Sequence, residues 1–251
     1  MKRAPQFIII VLILAVGIIG VTYVLLRNPS RGERPVLINP QPHFYDNPQQ
    51  PIKAIRIRAV YFVPRDREIW SAGNWREIFE SKLDALVQFH DFQFRGRSGI
   101  VYEVYDQPVI GQFDHILYDS DTTQFGNPNA LRSAAVELES RLLNSEGDLY
   151  DSQYATSVPG EYDLLYIMYE GVGASGSDNV AFISRVFLTE KEYESHGASF
   201  FAHEFYHTLG VPEGYEIPSS ISLTNDVMGY GRYRPLERTH LSAETLSHMG
   251  F

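Results

Sequence analysis

His203-Glu204-Phe205-Tyr206-His207-Thr208-Leu209-Gly210-Val211-Pro212-Glu213 is the stretch from which the rest of the chain can be read. Residues four apart on an α-helix share a face one turn apart, so His203 and His207 can aim their imidazoles at one metal ion. Zn²⁺ accepts such nitrogens at about 2.0–2.1 Å and takes four ligands in a tetrahedron. Glu204, beside the first histidine, is placed to hold and deprotonate a metal-bound water, the general-base role in metal-assisted hydrolysis. A third ligand is required, and a straight helix would carry the chain away from the metal. Gly210 can adopt the left-handed conformation that ends a helix, and Pro212 cannot continue one. The chain can then turn back and offer Glu213, ten residues after His203, or Glu216, three residues further on.

Fifteen residues beyond Glu213 stands Met228, inside the Gly-flanked segment Asp226-Val227-Met228-Gly229-Tyr230-Gly231. The pattern HExxHxxGxx plus a ligand, followed by a methionine turn, resembles the metzincin clan of zinc peptidases. That resemblance implies a metal centre of one catalytic Zn²⁺ held by His203, His207 and Glu213, with Glu204 as base. It implies a methionine floor beneath the metal at Met228, and a contact to the zinc or the transition-state oxyanion from Tyr230. Most of the clan has histidine as third ligand, and a small secreted bacterial branch has aspartate. The clan spacing favours Glu213 over Glu216. The architecture implied is an α+β domain with a twisted mixed sheet, two long helices before the motif helix, and a terminal helix after the methionine turn. An extended peptide substrate would pair with the edge strand that precedes the motif helix, for which Val180 to Ser184 is the candidate.

The remainder of the chain fits one such domain behind an anchor. Phe7 to Leu26 is a twenty-residue run without a charge. At about 1.5 Å per residue it matches a bilayer core of about 30 Å, which predicts a single transmembrane helix or uncleaved signal anchor. No small-x-small cleavage site follows it. The expected organisation is a short tail over 1–6, the membrane helix over 7–26, an extended Pro/Asn/Gln/Arg-rich linker over 27–52, and a catalytic domain over 53–251. Lys2 and Arg3 face Arg27, Arg31 and Arg34 across the run, so charge alone does not orient it. The chemistry favours the domain on the extracytoplasmic side.

Charge excludes nucleic acid as a partner. Five of the 21 basic residues and one of the 31 acidic residues lie in the first 34, leaving 16 against 30, a net −14, on the rest. Such a surface repels phosphate backbones. The chain has no cysteine, which excludes disulfides, thiol catalysis and a propeptide cysteine that could cap the metal.

Within the domain, Ile55, Ile57, Ala59 and Tyr61 alternate with Arg56, Arg58 and Val60 as a first strand ending at Pro64. Asn74 is the cap of a helix from Trp75 to about His90, with Ile78, Phe79, Leu83, Leu86 and Val87 on one face. A strand around 101–105 precedes an irregular segment over 106–128, and Ala130 to Asn144 reads as a second helix. Leu164 to Tyr169 is a buried strand, Gly171 to Asp178 a Gly/Ser loop, and Val180 to Leu188 a further strand. Ser199 or Ser195 opens the motif helix, and Ser242 caps a last helix over Ala243 to Met249.

His196, His240, Asp119 and Asp121 are weaker metal candidates, more simply read as surface or capping residues. The function these readings imply is a zinc-dependent endopeptidase acting on peptide or protein substrates. The alternatives are a membrane-tethered peptide-binding module that is a non-catalytic relative, and a zinc hydrolase of non-peptide amides.

Overall fold

In the computed structural model, the described residues are 51–119, 132–138, 140–141, 160–177, 179–214 and 224–251. The anchor, most of the linker, Asp121 and Glu216 lie outside them. Among the described residues no helix is long and apolar enough to cross a membrane.

The sheet is built on β1 (Ala54–Val63) and β4 (Glu161–Tyr169), which pair in parallel along nearly their whole length. β2 (Gly99–Val104) and the short β3 (Val109–Ile110) also run parallel to β1. β6 (Val180–Ser184) is parallel to β4, and β5 (Ala174–Ser177) is antiparallel to β6. The order is β2-β1-β4-β6-β5, with β3 pairing β1 off that path. The sheet is therefore mixed, as the sequence led us to expect, but antiparallel only at β5.

Side-chain alternation divides the core. Ile55, Ile57, Ala59, Tyr61 and Val63 of β1, with Leu164, Tyr166 and Met168 of β4, enter the larger cluster. This face is covered by α1 (Trp75–Phe94) and by the motif helix α4 (Gly197–His207). Val60, Phe62, Leu165, Ile167 and Tyr169 point the other way, toward Ala134 and Leu138 of the helical residues 132–138, here α2. Helices on both faces bury the central strands twice, which explains the unbroken apolar run from Leu164 to Tyr169.

Asn74 caps α1 as expected, its side-chain oxygen accepting from the backbone N–H of Arg76 and Glu77. The helix runs one turn beyond the anticipated His90, to Phe94, where Arg95 adopts a left-handed φ of 54°. Phe89, His90 and Phe94 continue the apolar face onto the core, so burial extends the helix past the point where periodicity fades.

Four expectations around the motif need correction. Gly171 to Asp178 is not simply a loop, because it contains β5. Val180–Ser184 is not the edge; it lies between β4 and β5, and β5 is the edge strand nearest the motif helix. The strand does not continue to Leu188, since Val186–Thr189 forms a short helix, α3. The motif helix opens at Gly197, with His196 in the cap position and no side-chain cap bond. A Cβ at residue 197 would sit 2.2 Å from the carbonyl oxygen of Phe187, so this start is set by close packing against α3. Ser199 instead donates to the carbonyl of Arg234 at 2.5 Å.

Candidate metal centre

α4 is pegged to the sheet at two places. The Tyr166 hydroxyl donates to the carbonyl of Phe201 at 2.7 Å, with the two rings stacked 4.0 Å apart. Seven residues on, the Tyr162 hydroxyl donates to the carbonyl of Thr208 at 2.6 Å. Both tyrosines come from β4, so the helix bearing the motif is fixed in height over the strand. β5 rests on its outer flank: a Cβ at Gly176 would lie 1.9 Å from the Glu204 carbonyl oxygen and 2.9 Å from the His207 Cβ. Only glycine allows that approach.

The helix ends as the sequence indicates. Gly210 takes a φ of 78°, its N–H donates to the His207 carbonyl, and the Val211 N–H donates to the Tyr206 carbonyl. This paired closure is the Schellman arrangement, and it reverses the chain. The Gly214 N–H then donates to the Met228 carbonyl at 2.9 Å, tying the segment that carries Glu213 to the methionine turn.

The methionine turn is itself tightly made. Asp226, fully buried, accepts from the Met228 N–H, the Ser242 N–H and the Thr245 hydroxyl. It thereby joins the turn to the start of α5 (Ala243–His248), where Ser242 accepts from the Thr245 N–H as the expected cap. A Cβ at Gly231 would lie 2.3 Å from the Asp226 carbonyl oxygen, so the turn closes only with glycine there. Met228 is fully buried.

These constraints bring His203, His207 and Glu213 together. The two Nε2 atoms are 3.1 Å apart, and Glu213 Oε1 is 3.4 Å from each. The edge of a tetrahedron with ligands at 2.0–2.1 Å is about 3.3–3.4 Å, so the triangle has the size a zinc ion requires. The other ring nitrogens point the same way chemically. His203 Nδ1 is 3.0 Å from the Val227 carbonyl oxygen, and His207 Nδ1 is 2.8 Å from that of Val211. A nitrogen facing a carbonyl must carry the proton and donate. Each Nδ1 thus bears the hydrogen, and each Nε2 presents a lone pair to the centre of the triangle. Two lone pairs and a carboxylate facing one another inside a protein repel unless a cation or protons lie among them. The residues fit a metal ion.

Electrostatics express the same crowding. Glu213 is half-buried; burial opposes its charge, but His203 and His207 beside it outweigh that and hold its carboxyl far below the usual range. At His207, burial disfavours the cation, yet the neighbouring carboxylates of Glu213 and Glu204 raise its pKa above that of a free imidazole. Glu204 is 7% exposed. Burial raises its pKa, and His203, His207 and Arg232 only partly offset that.

The other sequence candidates fall elsewhere. Tyr230 opens a 3₁₀ turn over Tyr230–Tyr233 and is 55% exposed, with no hydrogen bond to the ligand group among the described residues. His196 packs among Phe200 and Tyr193. His240 is exposed, and its backbone bridges to Asn225 and Val227. Asp119 accepts from the Tyr169 hydroxyl and the Val172 N–H, a pin for the β4–β5 connection. The residue that sequence reasoning missed is Arg232. Its Nη1 donates to Glu213 Oε2 at 2.8 Å and lies 3.2 Å from His203 Nε2. Only the single basic residue of Tyr230-Gly231-Arg232-Tyr233 could have hinted at it.

No protein-family model matches the chain. No curated protein matches it either. Among solved structures, it is similar to a catalytically inactive OgpA from Akkermansia muciniphila in complex with an O-glycopeptide, glycodrosocin. That match has 15% identity and a TM-score of 0.45, covering 79% of this chain and 59% of the other. It is also similar to metalloproteinase-II from Bacteroides fragilis, at 16% identity and a TM-score of 0.43, covering 82% and 58%. The chain thus spans less than two thirds of either neighbour. At these scores neither likeness bears on the reading of the site, which rests on the site's own geometry.

Proposed function

We propose that this chain is a zinc-dependent endopeptidase, with His203, His207 and Glu213 as metal ligands and Glu204 as general base. The observation that carries the reading is the triangle of two Nε2 lone pairs and one carboxylate oxygen, spaced at 3.1–3.4 Å. Zn²⁺ bound there would act as a Lewis acid on the attacking water and the scissile carbonyl. Two imidazoles and one carboxylate are a ligand set found in catalytic zinc sites, which keep a fourth position open. Glu204 takes the proton of the attacking water and delivers it to the leaving amine. Its place beside His203 at the ligand group lets one carboxyl serve both halves of that transfer. Met228, buried within the methionine turn, would give the site its floor. Tyr230, half-exposed, approaches the developing oxyanion when substrate binds.

The substrate is an extended peptide laid along β5. That strand is the sheet edge, and at Gly176 it touches the turn of α4 that carries Glu204 and His207. Main-chain pairing there would hold a peptide of almost any sequence with its scissile bond near the metal ligands. Tethering through Phe7–Leu26, with the domain on the extracytoplasmic side, belongs to the same proposal.

The test is a digest of a peptide library by the full chain, with and without chelator, beside the Glu204→Gln variant, with metal content measured on each. One zinc per chain, chelator-sensitive cleavage, and a loss of about 10²–10⁴ in turnover for a variant that keeps its zinc are expected. Full turnover in Glu204→Gln would sink the assigned base. A zinc-loaded wild type that cuts no peptide would make the domain a binding module instead.

A further inference from the structure

A carboxylate third ligand differs from an imidazole in two ways that matter to a hydrolytic zinc. Unlike imidazole it has two oxygens, and if both reach the metal the second occupies the position that water needs. It also adds a negative charge that weakens the metal as a Lewis acid. At Glu213 the two oxygens are kept apart by different partners. Oε1 faces both imidazoles at 3.4 Å, while Oε2 accepts from Arg232 Nη1 at 2.8 Å.

Arg232 is held for this task from several sides. Its backbone sits in the tight turn that Gly231 makes possible against the Asp226 carbonyl. Its guanidinium carbon lies 5.2 Å from the centre of the Tyr233 ring, a cation–π contact that limits its swing. The guanidinium and the carboxylate are both largely withdrawn from solvent, at 18% and 25% side-chain exposure, so the pair is poorly screened. Nη1 also lies 3.2 Å from His203 Nε2. A metal on that nitrogen would claim its lone pair and leave Nη1 to Oε2 alone.

We infer that Arg232 is a positioning residue that confines Glu213 to one coordinating oxygen, offsetting its charge and preserving the open position at the metal. This rests on the metal-site reading above and deepens it: the carboxylate and the arginine form a unit that does the work of a neutral imidazole.

Cobalt reports the difference, because Co²⁺ absorbs visible light strongly in a four-coordinate tetrahedral site and weakly when a fifth ligand joins. In the cobalt-loaded full chain, Arg232→Gln is expected to weaken the visible bands several-fold as Oε2 reaches the metal. In a Glu213→His background, where no second oxygen exists, the same substitution should leave the bands unchanged. An unaltered spectrum in the first background, or an equal loss in both, overturns the inference. X-ray absorption on the zinc-loaded Arg232→Gln chain decides it independently of the histidine variant: a gained oxygen neighbour supports it and an unchanged shell refutes it. Arg232→Met, which keeps a stem over Tyr233 without a donor, serves if the glutamine variant fails to fold. A wild-type chain that takes up neither cobalt nor zinc refutes the metal site itself. A metal-loaded wild type with indifferent Arg232 variants refutes only the role of Arg232.

Discussion

His90 on α1 and His203 on α4 are 1% and 2% exposed, and both face the same hydrophobic core. They differ in what meets their nitrogens. His90 has a hydroxyl at each: Ser98 Oγ at 2.9 Å from Nε2 and Tyr206 at 3.2 Å from Nδ1, with the ring stacked on Phe94 at 4.0 Å. Hydroxyls rotate to donate or accept, so this imidazole is satisfied as a neutral group. His203 has a backbone carbonyl at Nδ1, which fixes its tautomer, while Nε2 looks at another imidazole, a carboxylate and a guanidinium. Burial is common to both; convergence of lone pairs is found at only one. A buried histidine becomes a candidate ligand through what its second nitrogen faces.

The sharpest way to break the comparison is to remove each ring in turn. His203→Ala should reduce bound zinc from one per chain to near zero and take peptide cleavage to background. His90→Ala should keep the metal and cost about 2–4 kcal/mol of stability, through a cavity and two stranded hydroxyls. Metal stoichiometry beside urea unfolding measures both. Loss of zinc from a folded His90→Ala chain would erase the distinction.

A smaller effect sharpens it by location. Gly176→Ala forces a Cβ against the Glu204 carbonyl and must push β5 off α4 on the side of the ligands. It should cost about 1–3 kcal/mol and weaken zinc binding, while the His90 ring resonances in an NMR spectrum stay in place. If zinc affinity is unchanged, β5 is a mere flank of the helix and the peptide-binding role assigned to it loses its support.

What could be read from the sequence follows from how local each feature is. The histidine pair, the glycine that ends the helix and the return to Glu213 depend on one helical turn and the bend after it, so spacing carries them. Asn74 and Ser242 were readable as caps for the same reason. β5 was not, because Ala174-Ser175-Gly176-Ser177 has no apolar alternation; it is a strand only through its ladder with β6 and its seat on α4. Serine is a good cap and points to Ser195 or Ser199 as the start of α4, but the contact of Gly197 with Phe187 decides it. Arg232 lies nineteen residues from the carboxylate it holds, and only the tertiary path of the methionine turn brings them together.

The smallest of these effects concerns His90 in acid. Burial pushes the His90 pKa from 6.5 down to about 3, so the folded chain keeps it neutral where the unfolded chain protonates it. Stability from this group is therefore complete above about pH 6.5 and is lost as the pH falls toward 3, because the unfolded state binds the extra proton. The slope cannot exceed about 1.4 kcal/mol per pH unit for one proton. His90→Gln can still bond Ser98 and Tyr206 but cannot titrate. Its unfolding free energy, followed by urea titration at pH 7, 6 and 5, should start below the wild type and approach it by about 1 kcal/mol per unit. All other titrating groups are shared by the two chains and cancel in the difference. Parallel curves would mean that His90 reaches water in the native state. Its hydroxyl cage would then not be what keeps it a core residue, and the contrast with His203 would have to rest on the metal ligands alone.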